Sequence, residues 1–478
     1  MANYLSPGVY SESIRSSGSP LEAVGASTGG FVGVTVRGPL NTPTLVTSWQ
    51  DFINKFAYGV DSPFLANSDL AYAVYGFFQN GGTKCYIIRT SASAEGKKAA
   101  KASAKAGADF TAKDEGSWGN NLGITVKANA ETATNFDITI TYNGDKVEQF
   151  VNVSNTVTNA DYFVNAVGAS KYVTCVAGTI AVTTGSTPVA FAGGVDGIDG
   201  ILDTDYENAL KLFDNLDDVN LICVPGQGSS AMIEKITSYA ENRGNVFAII
   251  DGEKTLTADT AVTLAKTLNK KYSAMYYPWI KVSDPLSGKL RDCPPCGHIM
   301  GVYARTIQER GVWKAPAGVE AVVRGAVDVL SVLTKADCDK LNPANVNAIM
   351  PRANYGIVVW GARVLGSDDS MKYISDVLLN VNIKESITNG TQWAVFEPNN
   401  KLLWDRVKTT VTSYLDGLWR AGAFAGDTAN KAYYVKCDEE LNTDDVVKSG
   451  KLICEVGYAP NTPAEFVIFR IAHSISND

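Results

Sequence analysis

Between residues 204 and 282 short apolar runs alternate with amphipathic ones, and this order constrains the fold more than any other feature of the chain. The spacing predicts helices over 204–213, 229–243 and 259–268, and strands over 219–224, 245–251 and 273–282. Strands that are apolar on both faces and separated by helices of this length form a largely parallel sheet covered by helices. The expected fold class is therefore α/β within a larger α+β, multidomain chain.

Composition narrows the function. A chain of 478 residues is long enough for two to four domains and for a core that needs no disulfide or metal. The net charge of -8 is the opposite of the basic footprint of a phosphate-neutralising protein, so direct nucleic-acid binding is not expected. Only two histidines, His298 and His473, are present, which leaves little material for general acid-base or metal chemistry. Eight cysteines are scattered, mostly in apolar runs, as expected of buried free thiols in a reducing cytoplasm. No basic N-terminal segment precedes an apolar stretch, and no uncharged run approaches the roughly 20 apolar residues of a membrane span. A soluble protein without membrane insertion is expected.

The chain divides by pattern. Residues 1–20 form an extended arm, because Ser6-Pro7-Gly8 forbids a helix and 16–20 is a Ser/Gly/Pro tether. Residues 21–90 and 197–365 read as a discontinuous α/β body, with Ser48 capping a helix start and Asn80-Gly81-Gly82 ending a second helix. Residues 91–196 read as a β-rich insertion on the outer surface, entered through an Ala/Lys-rich helix or linker at 95–108 and containing an Asn143-Gly144 hairpin turn. Residues 366–459 form a C-terminal domain with a long helix over 401–420, whose Leu403, Val407, Val411, Leu415 and Leu418 share one stripe. Strands are expected over 432–437, 451–456 and 465–471, the last within a C-terminal strand and arm at 460–478.

Motifs with a chemical reading are few. Cys293-Pro294-Pro295-Cys296-Gly297-His298 has the spacing of a thiol pair, but no second ligand pair accompanies it for zinc, and a Pro-Pro turn before a helix explains it equally. Val224-Pro225-Gly226-Gln227-Gly228-Ser229 sits where phosphate loops occur, yet lacks the P-loop lysine and the third glycine of a dinucleotide fingerprint. Asp196, Asp199, Asp203 and Asp205 miss the EF-hand order. No catalytic, cofactor-binding or metal residues are assigned, and no cofactor is expected.

The distinctive feature is architectural. An isolated strand such as 9–14 cannot satisfy its own backbone groups, nor bury Val9, Tyr10 and Ile14; it needs a host sheet in its own subunit or in a neighbour. The terminal run Phe466, Val467, Ile468, Phe469, Arg470, Ile471 is apolar on both faces and needs cover on both. Two such ends suggest polymerisation by strand addition, with ends folded onto their own molecule in an ordinary enzyme as the competing reading.

Several blocks carry a family resemblance. They include Pro7-Gly8-Val9-Tyr10 with Glu12, Gly30-Phe31-Val32-Gly33, Arg37-Gly38-Pro39, Trp118-Gly119-Asn120, Arg310-Gly311-Val312-Trp313, Gln392-Trp393 through Phe396-Glu397-Pro398-Asn399, and Pro463-Ala464-Glu465-Phe466. Together they resemble the tail sheath proteins of contractile phage tails and R-type bacteriocins. Relatives usually have Ser at the position of Cys296. Val364 stands where Thr is expected, and 377–383 lacks a pair of arginines common there, so any ion pair these make in relatives does not transfer.

The resemblance implies a subunit that stacks as hexameric rings around an inner tail tube, with baseplate and tail terminator proteins as further partners. It implies an N-terminal arm (Pro7, Gly8, Val9, Tyr10, Glu12, Ile14) and a C-terminal strand (466–471) that complete the C-terminal-domain sheets of neighbours. Contraction from a metastable extended lattice would drive the tube through a target cell envelope. The particle, a virion or phage-tail-like structure, would be assembled in the host bacterial cytoplasm. A further expectation, from charge alone, is that Asp438, Glu439, Glu440, Asp444 and Asp445 face a basic tube surface or form a solvated loop. The alternative is a cytosolic α/β enzyme using Cys293 and Cys296.

Overall fold

In the computed structural model the described residues are 25–183, 187–285, 287–366, 368, 371–466 and 468. Contacts divide them into two units: 25–381 with the described part of 463–478, and 382–462.

The first unit opens with strands β1 (Gly29–Gly33) and β2 (Thr44–Val46), helices α1 (Trp49–Phe56) and α2 (Leu70–Gln79), and strand β3 (Cys85–Arg89). The Ser48 side chain accepts from the Asp51 N–H at 3.0 Å, which starts α1 where the sequence predicts.

The insertion follows: β4 (Ser103–Ala106), β5 (Ala108–Ala112), β6 (Leu122–Ala128), β7 (Phe136–Tyr142), β8 (Asp145–Val153), α3 (Phe163–Gly168), β9 (Val173–Cys175) and β10 (Val189–Ala190). They form a four-stranded sheet in the order β10-β6-β7-β8 and a three-stranded sheet β4-β5-β9, around a core that includes Phe110, Ile124, Ile138 and Phe163. The helix or linker expected at 95–108 is a correction, because β4 occupies its second half. There Ala104 and Ala106 are buried while Ser103 and Lys105 are exposed, so a period of two outweighs the helical preference of Ala and Lys. Asn143 and Gly144 turn β7 into β8 with positive φ values of 49° and 91°.

Two buried arginines fasten this insertion to the body. Arg37 donates to the Asp114 carboxylate at 2.8 Å and to the Tyr58 and Lys171 carbonyls at 2.7 Å, and lies 4.0 Å over the Trp118 ring. Arg89 donates to the Gly38 carbonyl at 2.8 Å and to that of Glu115 at 2.9 Å.

The alternating region then builds α4 (Asp203–Leu210), β11 (Leu221–Cys223), α5 (Ser230–Arg243), β12 (Phe247–Asp251), α6 (Ala258–Lys266) and β13 (Ser273–Tyr277). The strand expected over 273–282 is two strands. Pro278 has no N–H to donate, and β14 (Ile280–Ser283) pairs instead with β15 (Leu290–Cys293) and β16 (Ala326–Val329). Helices α7 (Cys296–Arg310) and α8 (Lys335–Leu341) and strands β17 (Val346–Arg352) and β18 (Gly356–Val359) complete the body. The main sheet runs β18-β17-β13-β12-β11-β1-β3-β2, parallel from β17 to β3 and antiparallel at both margins.

Helices α2 and α7 touch backbone to backbone. A Cβ built on Gly297 would lie 2.2 Å from the Ala73 carbonyl oxygen, and one on Gly301 2.5 Å from that of Phe77. A Cβ on Gly76 would lie 2.3 Å from the His298 ring. His298 is buried with no partner for Nδ1, and burial lowers its pKa from 6.5 to about 4. The fold therefore holds the imidazole neutral, and this contribution to stability is present above pH 6.5 and lost as pH falls towards 4. Relative to His298→Gln, the wild-type chain should lose roughly 2–3 kcal/mol of unfolding free energy between pH 7.5 and 4.5, read by urea titration. A difference that stays flat over that range would contradict the assignment. Comparison with the variant is needed because buried Asp251, raised by burial to about 7, works in the opposite direction over the same range.

Helix α9 (Ile374–Gly390) leads from the first unit into the second, which holds α10 (Lys401–Arg420), α11 (Ala429–Ala432), β19 (Tyr433–Lys436), α12 (Asp444–Lys448) and β20 (Glu455–Tyr458). The Asn400 side chain caps α10 by accepting from the Leu403 N–H at 3.1 Å. The helix buries the predicted stripe, widened by Trp404 and Tyr414, with Leu418 only half-buried. Of the strand expected over 451–456, residues 451–454 are irregular and only Glu455 onward pairs with β19.

Candidate assembly surfaces

The residues that looked chemical in the sequence are accounted for by packing. Cys293 ends β15 and Cys296 begins α7; both are buried, and burial pushes both thiols well up. The Cys296 N–H donates to the Asp251 carboxylate at 2.9 Å, so Asp251 closes the start of α7. The glycine loop has no space for a phosphate: a Cβ on Gly228 would lie 2.3 Å from the Gly252 backbone, and the Gly226 N–H already donates to Asp251 at 3.3 Å. Asp196 accepts from the Ser117 N–H and hydroxyl, and Asp205 from the Leu202 N–H. Among the described residues no group of three or more His, Cys, Asp or Glu side chains could hold a metal ion. No helix among them is long and apolar enough to cross a membrane.

The chain ends present a different chemistry. Arm residues Pro7, Gly8, Val9, Tyr10, Glu12 and Ile14 lie outside the described residues, as do Val467, Phe469, Arg470 and Ile471. Phe466 and Ile468 are described, stand outside any strand, and are 72% and 80% exposed. The strand expected from 465 is therefore not formed at 465, 466 and 468, because no strand among the described residues pairs with them. Just before them the chain is pinned. Glu465 takes a two-pronged ion pair from Arg363, Nε to Oε1 at 2.8 Å and Nη2 to Oε2 at 2.6 Å, with further donors in Asn342 at 2.8 Å and Tyr373 at 3.2 Å. Burial raises the carboxyl pKa, yet the hydrogen bonds from Arg363 and Asn342 outweigh it and hold the group below its usual range.

In the second unit, among the described residues, β19 and β20 form a two-stranded sheet, from Tyr433↔Tyr458 to Lys436↔Glu455. A two-stranded ribbon is marginal by itself in water, so further strands paired to it would stabilise it. The acidic run lies in the connection between these strands. Glu440 pairs with Lys436 and Glu439 lies 3.7 Å from Lys401, while Asp444 and Asp445 open α12. Nearby, Val395, Phe396 and Leu402 are exposed, and Phe396 is fully so at a left-handed φ of 67°. A bulky side chain held there without cover is costly twice over, and only its place in the Gln392–Asn399 motif hinted at it.

These features acquire a context from known proteins. The phage tail sheath protein central domain matches residues 199–364, and the phage tail sheath C-terminal domain matches 366–474. The chain belongs to the phage tail sheath family. It is a structural sheath protein, not an enzyme, and the thiol-enzyme alternative is not favoured. A protein of Pseudomonas aeruginosa (strain UCBPP-PA14) named as a prophage major tail sheath protein is 27% identical over 263 residues, 52% of this chain and 64% of its own length. The tail sheath protein of Salmonella phage ViI is 26% identical over 209 residues, 43% of this chain and 32% of its own length. The matched part thus spans less than two thirds of either relative.

Solved structures show the same fold over nearly the whole chain. The anti-feeding prophage helical sheath in its contracted state superposes with a TM-score of 0.63 at 23% identity, covering 98% of this chain and all of that one. The sheath tail protein of Desulfitobacterium hafniense gives 0.67 at 16% identity, covering 90% and 94%.

Proposed function

We propose that this subunit polymerises as stacked hexamers around an inner tail tube and contracts from a metastable extended lattice, driving the tube through a target cell envelope. One observation carries the reading: among the described residues the ribbon has only two strands, and an apolar tail is pinned at Glu465 and then exposed at Phe466 and Ile468. A neighbour's N-terminal arm (Val9, Tyr10, Ile14) and C-terminal strand (466–471) would add to β19 and β20. Main-chain hydrogen bonds then supply adhesion while the bodies slide past each other. In this reading 366–459 faces the tube, 91–196 lies outside, and 197–365 exchanges contacts on contraction. Exposed Val395, Phe396 and Leu402 offer apolar surface to a neighbour.

Baseplate and terminator proteins would bind the two ends of the polymer; the baseplate part of this reading is supported by the anti-feeding prophage baseplate structure, a chain of which has this fold. The particle would be a phage tail or phage-tail-like structure assembled in the host cytoplasm. Electron microscopy of the purified chain tests the proposal. Tubes of repeating rings are expected, and discrete particles at every concentration would refute it.

A further inference from the structure

The sequence draws attention to one thiol pair, whereas the fold builds another. β19 and β20 pair in antiparallel register down to Lys436↔Glu455. The next positions along each strand are Cys437 and Cys454, which places the two cysteines opposite each other at the end of the ribbon. Directly opposed residues on antiparallel strands have Cα atoms about 4.5–5.5 Å apart, within the span a disulfide tolerates. The two thiols lie within hydrogen-bonding reach of each other and both are free.

We propose that Cys437 and Cys454 form a cross-strand disulfide when the chain meets a low-molecular-weight disulfide oxidant. The bond would staple the ribbon and close the 438–453 connection, which carries the acidic run, into a covalent loop. Cys454, half-buried, is the reachable partner, whereas Cys437 is 3% exposed. In the first step the Cys454 thiol loses its proton to solvent base, and its sulfur attacks one sulfur of the oxidant. A mixed disulfide forms and one small thiolate leaves. In the second step Cys437 Sγ, deprotonated in its turn, attacks Cys454 Sγ and expels the second small thiolate. The two cysteine sulfurs lose two electrons, the oxidant gains them, and two small thiols are released.

The surroundings set the rate. Burial, then the neighbouring Cys437, pushes the Cys454 thiol up to about 12, with the Lys408 ammonium acting the other way. Cys437 is raised by burial, but its sulfur is approached by the Cys454 thiol and by the Asn442 amide at 3.9 Å, both of which favour its thiolate, as does Lys408; Asp438 opposes. The exchange is therefore slow at neutral pH and quickens about tenfold per pH unit below the thiol pKa. A chain kept in a reducing cytoplasm would retain the dithiol, and one carried outside the cell would oxidise. Oxidation outside the cell rests on the assembly reading, whereas the bond itself needs only the oxidant.

The test uses the full-length chain treated with oxidised glutathione at pH 7.0 and 8.5, alkylated, digested and analysed by mass spectrometry. A linked peptide joining Cys437 to Cys454, lighter by two hydrogens and free of glutathione, is expected, with faster formation at the higher pH. Cys175 and Cys338, which are half-buried and have no thiol facing them among the described residues, serve as controls and should stop at glutathione adducts or stay free. In Cys437→Ser, Cys454 should accumulate as the glutathione adduct. The proposal is overturned if the wild-type chain keeps glutathione on Cys454, keeps both thiols alkylatable at pH 8.5, or links either cysteine to another partner.

Discussion

A chain lacking residues 2–14 will fold as the parent does and fail to polymerise. The body and its two arginine fasteners are built entirely from residues after 24, so the thermal midpoint and the near-ultraviolet dichroism should be unchanged. In the proposed assembly, what disappears is the strand offered to a neighbour. Each inter-strand hydrogen bond contributes about 0.5–1.5 kcal/mol net, and burying Val9, Tyr10 and Ile14 adds roughly 1.5–3 kcal/mol per large side chain. Summed over one arm this is several kcal/mol, repeated at every subunit of the lattice. Sedimentation should therefore show a single small species where the parent gives long polymers. Tubes formed by the truncated chain would remove the arm from the assembly mechanism, whatever family the chain belongs to.

Gly301→Ala will destabilise the body by about 2–3 kcal/mol net, although the same exchange on an open helix is stabilising. Alanine gains about 1 kcal/mol over glycine in a helix interior. At Gly301 the added carbon would lie 2.5 Å from the Phe77 carbonyl oxygen and 2.6 Å from the Asn80 Cβ. Neither can swing aside as a flexible side chain would, so α2 and α7 must separate, and the loss of packing exceeds the gain. Gly297→Ala, 2.2 Å from the Ala73 carbonyl, should behave alike. Gly417 in α10 supplies the contrast, since none of the described residues comes within 4 Å of its built Cβ. Gly417→Ala should raise stability by about 0.5–1 kcal/mol. Thermal or urea unfolding of the three variants checks the sign. A stabilised Gly301→Ala chain would mean that the two helices are not in backbone contact.

Local pattern revealed much of this fold and little of its pairing. The βα alternation of 204–277 was legible because each apolar run must be buried whatever its neighbours are, and Asn400 and Arg420 bound α10 as the periodicity predicted. The stretch 95–108 misled because Ala and Lys favour helices in isolation, whereas Ala104 and Ala106 are turned inward by a partner strand a few residues on. The unbroken strand expected over 273–282 ignored Pro278, and the result of the break, a separate antiparallel sheet with β15 and β16, depends on residues up to 51 positions away. For the same reason Cys293 and Cys296, three positions apart in sequence, attracted attention, while Cys437 and Cys454 met only through strand register. The Arg363–Glu465 pair, 102 residues apart, left no local trace at all.

That pair also defines a load path. Tension on the tail beyond Phe466 reaches the body first at the Glu465 carboxylate, where the Arg363 fork bears it across two parallel bonds. The Arg363 backbone is tied in turn to the Asn347 side chain, its N–H donating at 2.8 Å and its carbonyl accepting at 2.8 Å, and Asn347 also grips the Met275 carbonyl at 3.2 Å. A tug on the last few residues is thus delivered to β17 and β13, hydrogen-bonded strands of the main sheet, rather than to a surface loop that would stretch and absorb it.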